Sequence, residues 1–93
     1  MFTNMAQVRA ANSAINGHWF DKSTLRFFRS RVGRKLYRFK YFITSEKFSY
    51  DSERLFSIRE VKKDGRIETV GEFQAYRTRS AAMAAIKRLR AEG

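Results

Sequence analysis

Apolar residues fall into two rhythms along this chain. From Leu36 to Thr44 they alternate strictly, with Tyr37, Phe39, Tyr41 and Ile43 on one side and Leu36, Arg38, Lys40, Phe42 and Thr44 on the other. Successive side chains of an extended strand point to opposite faces, so this stretch predicts a strand with an aromatic inner face and a largely basic outer face. Arg54–Val61 and Arg66–Phe73 predict two further strands. Lys62-Lys63-Asp64-Gly65 between them predicts a hairpin turn, because Asp-Gly tolerates the positive φ that tight turns require. Residues Ser45 to Glu53 are polar and read as a loop carrying Phe48 and Tyr50.

The other rhythm is helical. Asn4 to Ile15 predicts a short helix capped by Thr3 or Asn4, with a thin apolar face through Met5, Val8 and Ile15, ended by Asn16-Gly17. Leu25, Phe28 and Val32 share a face at helical spacing. They predict a second helix from Ser23 or Thr24 to Val32, capped by Asp21 or Ser23 and stopped by Gly33. Thr78 caps a third, Arg79 to Ala91, whose buried stripe is Ala82, Ala85, Ile86 and Leu89. Lys87, Arg88 and Arg90 sit near its end, where cations suit the helix dipole.

The order α-α-β-β-β-α predicts an α+β fold: N-terminal helices, a three-stranded antiparallel meander over residues 36–74, and a C-terminal helix packed on one face of the sheet. The opposite sheet face is left for solvent or a partner. Residues 1–93 read as a single domain, helical over 1–33 and a β-β-β-α unit over 36–91. The expected core is Tyr37, Phe39, Tyr41, Phe56, Ile58, Ile67 and Phe73 beneath Ala82, Ile86 and Leu89.

Charge changes the picture more than composition does. The 93 residues carry twenty Lys and Arg against nine Asp and Glu, a net charge of +11. An aromatic fraction of 15% argues for a folded core and against disorder. Lys22 through Ser45 contains no acid, yet holds Lys22, Arg26, Arg29, Arg31, Arg34, Lys35, Arg38 and Lys40 among core-forming residues. Charges fixed on a folded element attract a polyanion at low ordering cost. The expected patch runs from Arg26 and Arg29 on a helix, with Arg31, through Arg34-Lys35 in a turn to Arg38 and Lys40 on a strand. Phe42 on the basic strand face, and Tyr50 and Tyr76 in polar surroundings, are the aromatics expected to stack or anchor.

Other chemistry is thin. There is no Cys, and His18 is the only histidine, so neither a disulfide nor a His/Cys metal site is expected. His18, three residues before Asp21, reads as a structural hydrogen-bonder in preference to a general base. With no phosphate-cradling Gly-rich loop and no paired carboxylates, neither an enzyme nor a bound cofactor is expected. No apolar run reaches membrane-spanning length, and residues 1–16 lack a signal-peptide core, so a cytoplasmic protein with no membrane partner is expected.

Leu36–Leu89, with its Asp-Gly turn, Gly71-Glu72-Phe73 and Ala-rich helix, resembles the three-stranded-sheet DNA readers of the AP2 and integrase arm-binding type. That resemblance implies a sheet laid in the major groove, although Glu68 and Glu72 on the third strand would repel phosphate. Residues 16–21, Leu25 to Arg31, Tyr41 to Phe48 and Thr69 to Gln74 look like a family of small phage-encoded proteins without an assigned function. That likeness implies a phage or prophage origin. The expected partner is nucleic acid, DNA ahead of RNA, bound through Arg26–Lys40. The alternative is an inhibitor that occupies an acidic or nucleic-acid-binding protein of a host defence or takeover target.

Overall fold

The computed structural model describes residues 1–92, with the backbone alone for residues 90–92. Helix α1 spans Met5–Ala14 and α2 Lys22–Phe27; strands β1 to β4 span Arg31–Val32, Tyr41–Lys47, Arg54–Val61 and Ile67–Val70; helix α3 spans Arg79–Glu92. The strands form one antiparallel sheet in the order β1-β2-β3-β4. The fold class is α+β as expected, but the sheet has four strands and not three.

The additional strand replaces the end of the second predicted helix. α2 stops at Phe27 because Arg29 turns into the left-handed region at φ 49°. There the Ser30 amide donates to the Leu25 carbonyl at 2.7 Å and the Arg29 amide to the Arg26 carbonyl at 3.1 Å. This is a Schellman closure with arginine where glycine is usual. The chain then straightens, pairing Arg31 with Ser45 and Val32 with Thr44. α1 closes in the same way: Asn16 takes φ 61° and the Gly17 amide returns to the Asn12 carbonyl. Its start is held by Asn4, whose side chain accepts from the Gln7 amide.

The predicted Leu36–Thr44 strand is displaced to Tyr41–Lys47. Arg38 and Phe39 both adopt positive φ, and Tyr37 and Tyr41 exchange backbone hydrogen bonds at 2.7 and 2.8 Å across the turn. Phe39, expected in the core, is therefore 51% exposed on that turn. Phe73, also expected inside, is exposed because β4 ends at Val70, well short of it. By contrast, β3 and the Lys62–Gly65 turn lie where the pattern placed them.

Helices cover both faces of the sheet, so the expected open face is absent among the described residues. On one face Tyr41, Ile43 and Ile58 pack against Ala82, Ala85 and Ile86 of α3, with Phe56, Val70, Tyr76 and Leu89 at the margin. Thr78 caps α3 through the Ala81 amide. The side chain of Arg90, expected in the last turn, lies outside the described residues. On the other face Phe42 and Val61 pack against Met5 and Val8 of α1, with Trp19, Phe20, Leu36 and Ile67 around them. Phe42, taken from the pattern as an exposed anchor, is wholly buried because α1 covers the face that alternation alone had left to solvent. The AP2-type reading, which requires a sheet face free to meet a groove, fails for the same reason.

The α1 face also holds a buried ion pair. Arg59 Nη2 lies 3.2 Å from Glu46 Oε1, with Glu46 1% exposed. Arg59 Nε donates to Thr44 Oγ1 at 3.0 Å and Nη1 donates to Thr69 Oγ1. The guanidinium sits between aromatic rings, 5.1 Å from the centroids of both Trp19 and Phe73. Burial lowers the Arg59 pKa from its ordinary value, and Glu46 pulls it back up. Among the described residues no helix is long and apolar enough to cross a membrane.

Candidate nucleic-acid interface

One strand end, two strand starts and one helix end meet at the same end of the sheet. β2 finishes at Lys47, β3 begins opposite it at Arg54, α2 ends beside them, and β1 starts at Arg31. The Lys47 amide donates to the Phe28 carbonyl at 3.0 Å, which ties the end of α2 to the end of β2. Arg54 Nη1 donates to the carbonyls of Arg29 and Ser45 at 3.0 and 3.1 Å and so holds the loop after α2 against the sheet.

These elements border a shallow, open hollow of about 550 Å³ lined by Lys22, Arg26, Arg29, Arg31, Lys47 and Arg54, with Tyr50 at its rim. A smaller hollow of about 320 Å³ shares Arg31 and Arg54 and continues to Arg79 at the start of α3. Seven cations therefore follow one groove, and neither Asp nor Glu is among the described residues that line it. Asp51 and Glu53 are near in sequence but do not line it, and Ser49 holds the Asp51 carboxylate at 2.9 Å.

No acid lines the groove among the described residues, and the charge nearest to Arg54 that opposes its own is the buried Glu46. Burial lowers the Arg54 pKa from its ordinary value, and the neighbouring charge of Arg31 pushes the same way while Glu46 pulls it back. Arg79 occupies the first position of α3, where the helix dipole favours an acid. Arg29 occupies a left-handed position that suits glycine. Both placements act against local stability, and both put a guanidinium into or beside the same groove.

The predicted patch is divided by the fold. Arg26, Arg29, Arg31 and Tyr50 are brought together here. Lys35 and Arg38 instead stand beside Met83, Ile86 and Lys87 of α3. Lys40 sits 3.8 Å from Glu60, and Arg34 is exposed in the segment between β1 and Tyr37. A larger hollow of about 940 Å³ contains Arg38, Lys40, Lys62 and Lys63, but Glu60 lines it and contacts both Lys40 and Lys62. Its positive charge is thus partly cancelled. Phe42 is buried and Tyr76 is half-buried against α3, so neither is presented to a partner as expected.

Lys47, Arg54 and Arg79 were not among the expected site residues. Lys47 and Arg54 flank the loop between two antiparallel strands, and that flanking position is the one sequence signal that could have paired them. Arg79 carries no such signal, because only tertiary packing of α3 brings it to this end. His18 Nδ1 lies 2.9 Å from Asp21 Oδ2 on the exposed approach to α2. Asp21 makes no side-chain cap bond to that helix.

Comparisons with curated proteins and with solved structures gave no match. Residues 4–87, nearly the whole of the α1-to-α3 architecture, match a single family description, and the chain belongs to that family of unknown function, DUF7447.

Proposed function

We propose that this protein binds nucleic acid, holding backbone phosphates in the groove between Lys22 and Arg79. The observation that carries the reading is the convergence of seven cations from α2, the loop after it, β1, β2, β3 and α3 with no acid among the lining residues described. Five of the seven are Arg, whose planar fork meets phosphate oxygens in pairs. The Arg54 guanidinium and the backbone bonds of the turn fix the loop that carries Arg29, so little order has to be gained on binding. A phage origin, implied by the likeness of residues 16–21 and 41–48 to small phage proteins, belongs to the same proposal.

The test is an anisotropy titration with labelled oligonucleotides across salt concentrations. Replacing Arg26, Arg29 and Arg31 by Ala weakens binding and flattens the salt slope by roughly 2–3 units, about 0.7–0.9 per lost phosphate contact. Replacing Arg34, Lys35 and Arg38, outside the groove, leaves far more of the affinity. Equal effects of the two triple variants would reject the groove. Absence of oligonucleotide binding by the parent at low salt would reject nucleic acid as the partner and leave an acidic protein surface as the ligand to pursue.

A further inference from the structure

Among the described residues six aromatic side chains are exposed, and five of them, Phe27, Phe28, Phe48, Tyr50 and Phe73, lie at the groove end of the sheet. Phe27, Phe48 and Tyr50 are 76%, 85% and 82% exposed. Burying an aromatic ring stabilises a fold, so leaving three outside a small core forgoes a large stabilisation. Their placement follows the cations. Phe27 succeeds Arg26, Phe48 succeeds Lys47, and the Lys47 ammonium donates to the Tyr50 carbonyl at 2.8 Å while lying 5.8 Å from the Tyr50 ring centroid.

The rings are also braced. Phe27 meets Phe28 edge-on at 4.6 Å and Phe28 meets Phe73 at 5.9 Å. Phe73 in turn lies against the buried Arg59 guanidinium. A partly fixed ring loses less freedom on contact than a mobile one.

Building on the proposed nucleic-acid reading, we infer that the ligand is single-stranded, with unpaired bases stacking on Phe27 and Tyr50 while the groove cations hold the phosphates. A duplex keeps its bases stacked inside and offers these rings little. A single strand carries one charge and one flat apolar ring on every unit, and the groove presents both complements side by side. Stacking accepts any base, so the binding is tolerant of sequence.

The experiment compares four ligands on the full chain by fluorescence anisotropy or competition: a twenty-nucleotide oligo(dT), an oligo(rU) of the same length, a DNA duplex of the same length, and inorganic polyphosphate, which carries charge without rings. The expected order places both single strands ahead of the duplex and of polyphosphate. Phe27→Ala and Tyr50→Ala each weaken oligo(dT) binding by about 5–100-fold, the fold-change of one lost base stack, with salt slope and polyphosphate binding unchanged. Circular dichroism checks that both variants remain folded, as side chains this exposed permit. Duplex or polyphosphate binding as tight as oligo(dT), or oligo(dT) binding unaltered in both variants, overturns the single-strand inference and leaves the phosphate groove standing. Failure of every oligonucleotide to bind overturns both.

Discussion

Arg59 is the residue whose loss the structure makes most consequential for stability. Its guanidinium donates to Glu46, Thr44 and Thr69, and its two faces lie against Trp19 and Phe73. Arg59→Met keeps much of the apolar stem but leaves Glu46 with only hydroxyl contacts at 3.4 Å from Thr44 and 3.3 Å from Ser57. Glu46 Oε2 already has no hydrogen-bond partner among the described residues. Removing one member of a buried pair costs about 3–5 kcal/mol, because the other charge remains out of water. Folding free energies are commonly about 5–15 kcal/mol, so this single change consumes a large share. At an assumed urea slope near 2 kcal/mol per molar, within the ~1–3 usual for small proteins, the midpoint falls by roughly 2 M. The double variant Glu46→Met/Arg59→Met removes both charges and lies within about 2 kcal/mol of the parent, since two apolar groups can replace a buried pair at little cost. Urea denaturation followed by circular dichroism measures all four corners of the cycle. Trp19 fluorescence serves as a second probe, since that ring lies 5.1 Å from the Arg59 guanidinium. A loss below about 1 kcal/mol for Arg59→Met, or additive single effects, would contradict the account of Glu46 as a charge that depends on Arg59.

Three further outcomes are expected. Phe42→Ala costs about 3–5 kcal/mol as a buried aromatic, whereas Phe39→Ala costs less than about 1 kcal/mol as an exposed turn residue; thermal or urea denaturation ranks the two, and the reverse order would refute the described burial. Arg29→Gly relieves a left-handed arginine, so stability holds or rises by about 1 kcal/mol while oligonucleotide affinity falls; a parallel loss of both would make Arg29 structural. Asp64 accepts from the Arg66 amide at 3.0 Å, and that bond is the main reason its pKa is lowered from the ordinary 3.8. A lowered carboxylate pKa contributes stability that is present above the ordinary value and is lost as pH falls through the folded one. Asp64→Asn therefore differs most from the parent at neutral pH and converges with it as pH falls through the lowered pKa of the folded carboxyl, which denaturation across an acid pH series reads directly.

Much of the architecture was legible because local pattern and tertiary outcome agree. β3, its Asp-Gly turn and the α3 stripe of Ala82, Ala85 and Ile86 follow from alternation, turn chemistry and helical spacing. The failures share a physical cause. Arg29, Arg38 and Phe39 adopt positive φ without a glycine or asparagine to announce it. One such turn shortens α2 and frees β1; the other displaces β2. A second kind of failure concerns Phe42, whose alternation correctly separates it from Tyr41 and Ile43. Alternation does not say whether the opposite face is wet, and a thin apolar stripe on α1 hid the helix that covers it. For the site, the acid-free window pointed to Arg26, Arg29 and Arg31, but their cationic neighbours come from three other elements.

The contact between α1 and the β3–β4 turn bears on when the N-terminal segment can settle. Gly65, at φ 100°, lies so close to α1 that a Cβ there would stand 2.6 Å from the Ala11 carbonyl oxygen. The Asn12 side chain donates to the Gly65 carbonyl across 53 residues of chain. During synthesis α1 emerges well before the turn that receives it. Short isolated helices are marginal in water, so α1 waits as a fluctuating segment with Met5 and Val8 unprotected. The second sheet face, with Phe42 and Val61, remains uncovered until it docks. Closing so long a loop is slow compared with forming the neighbouring hairpin. The covering of the second sheet face is thus a late event, and the interval before it is when the chain is most open to association with its own copies.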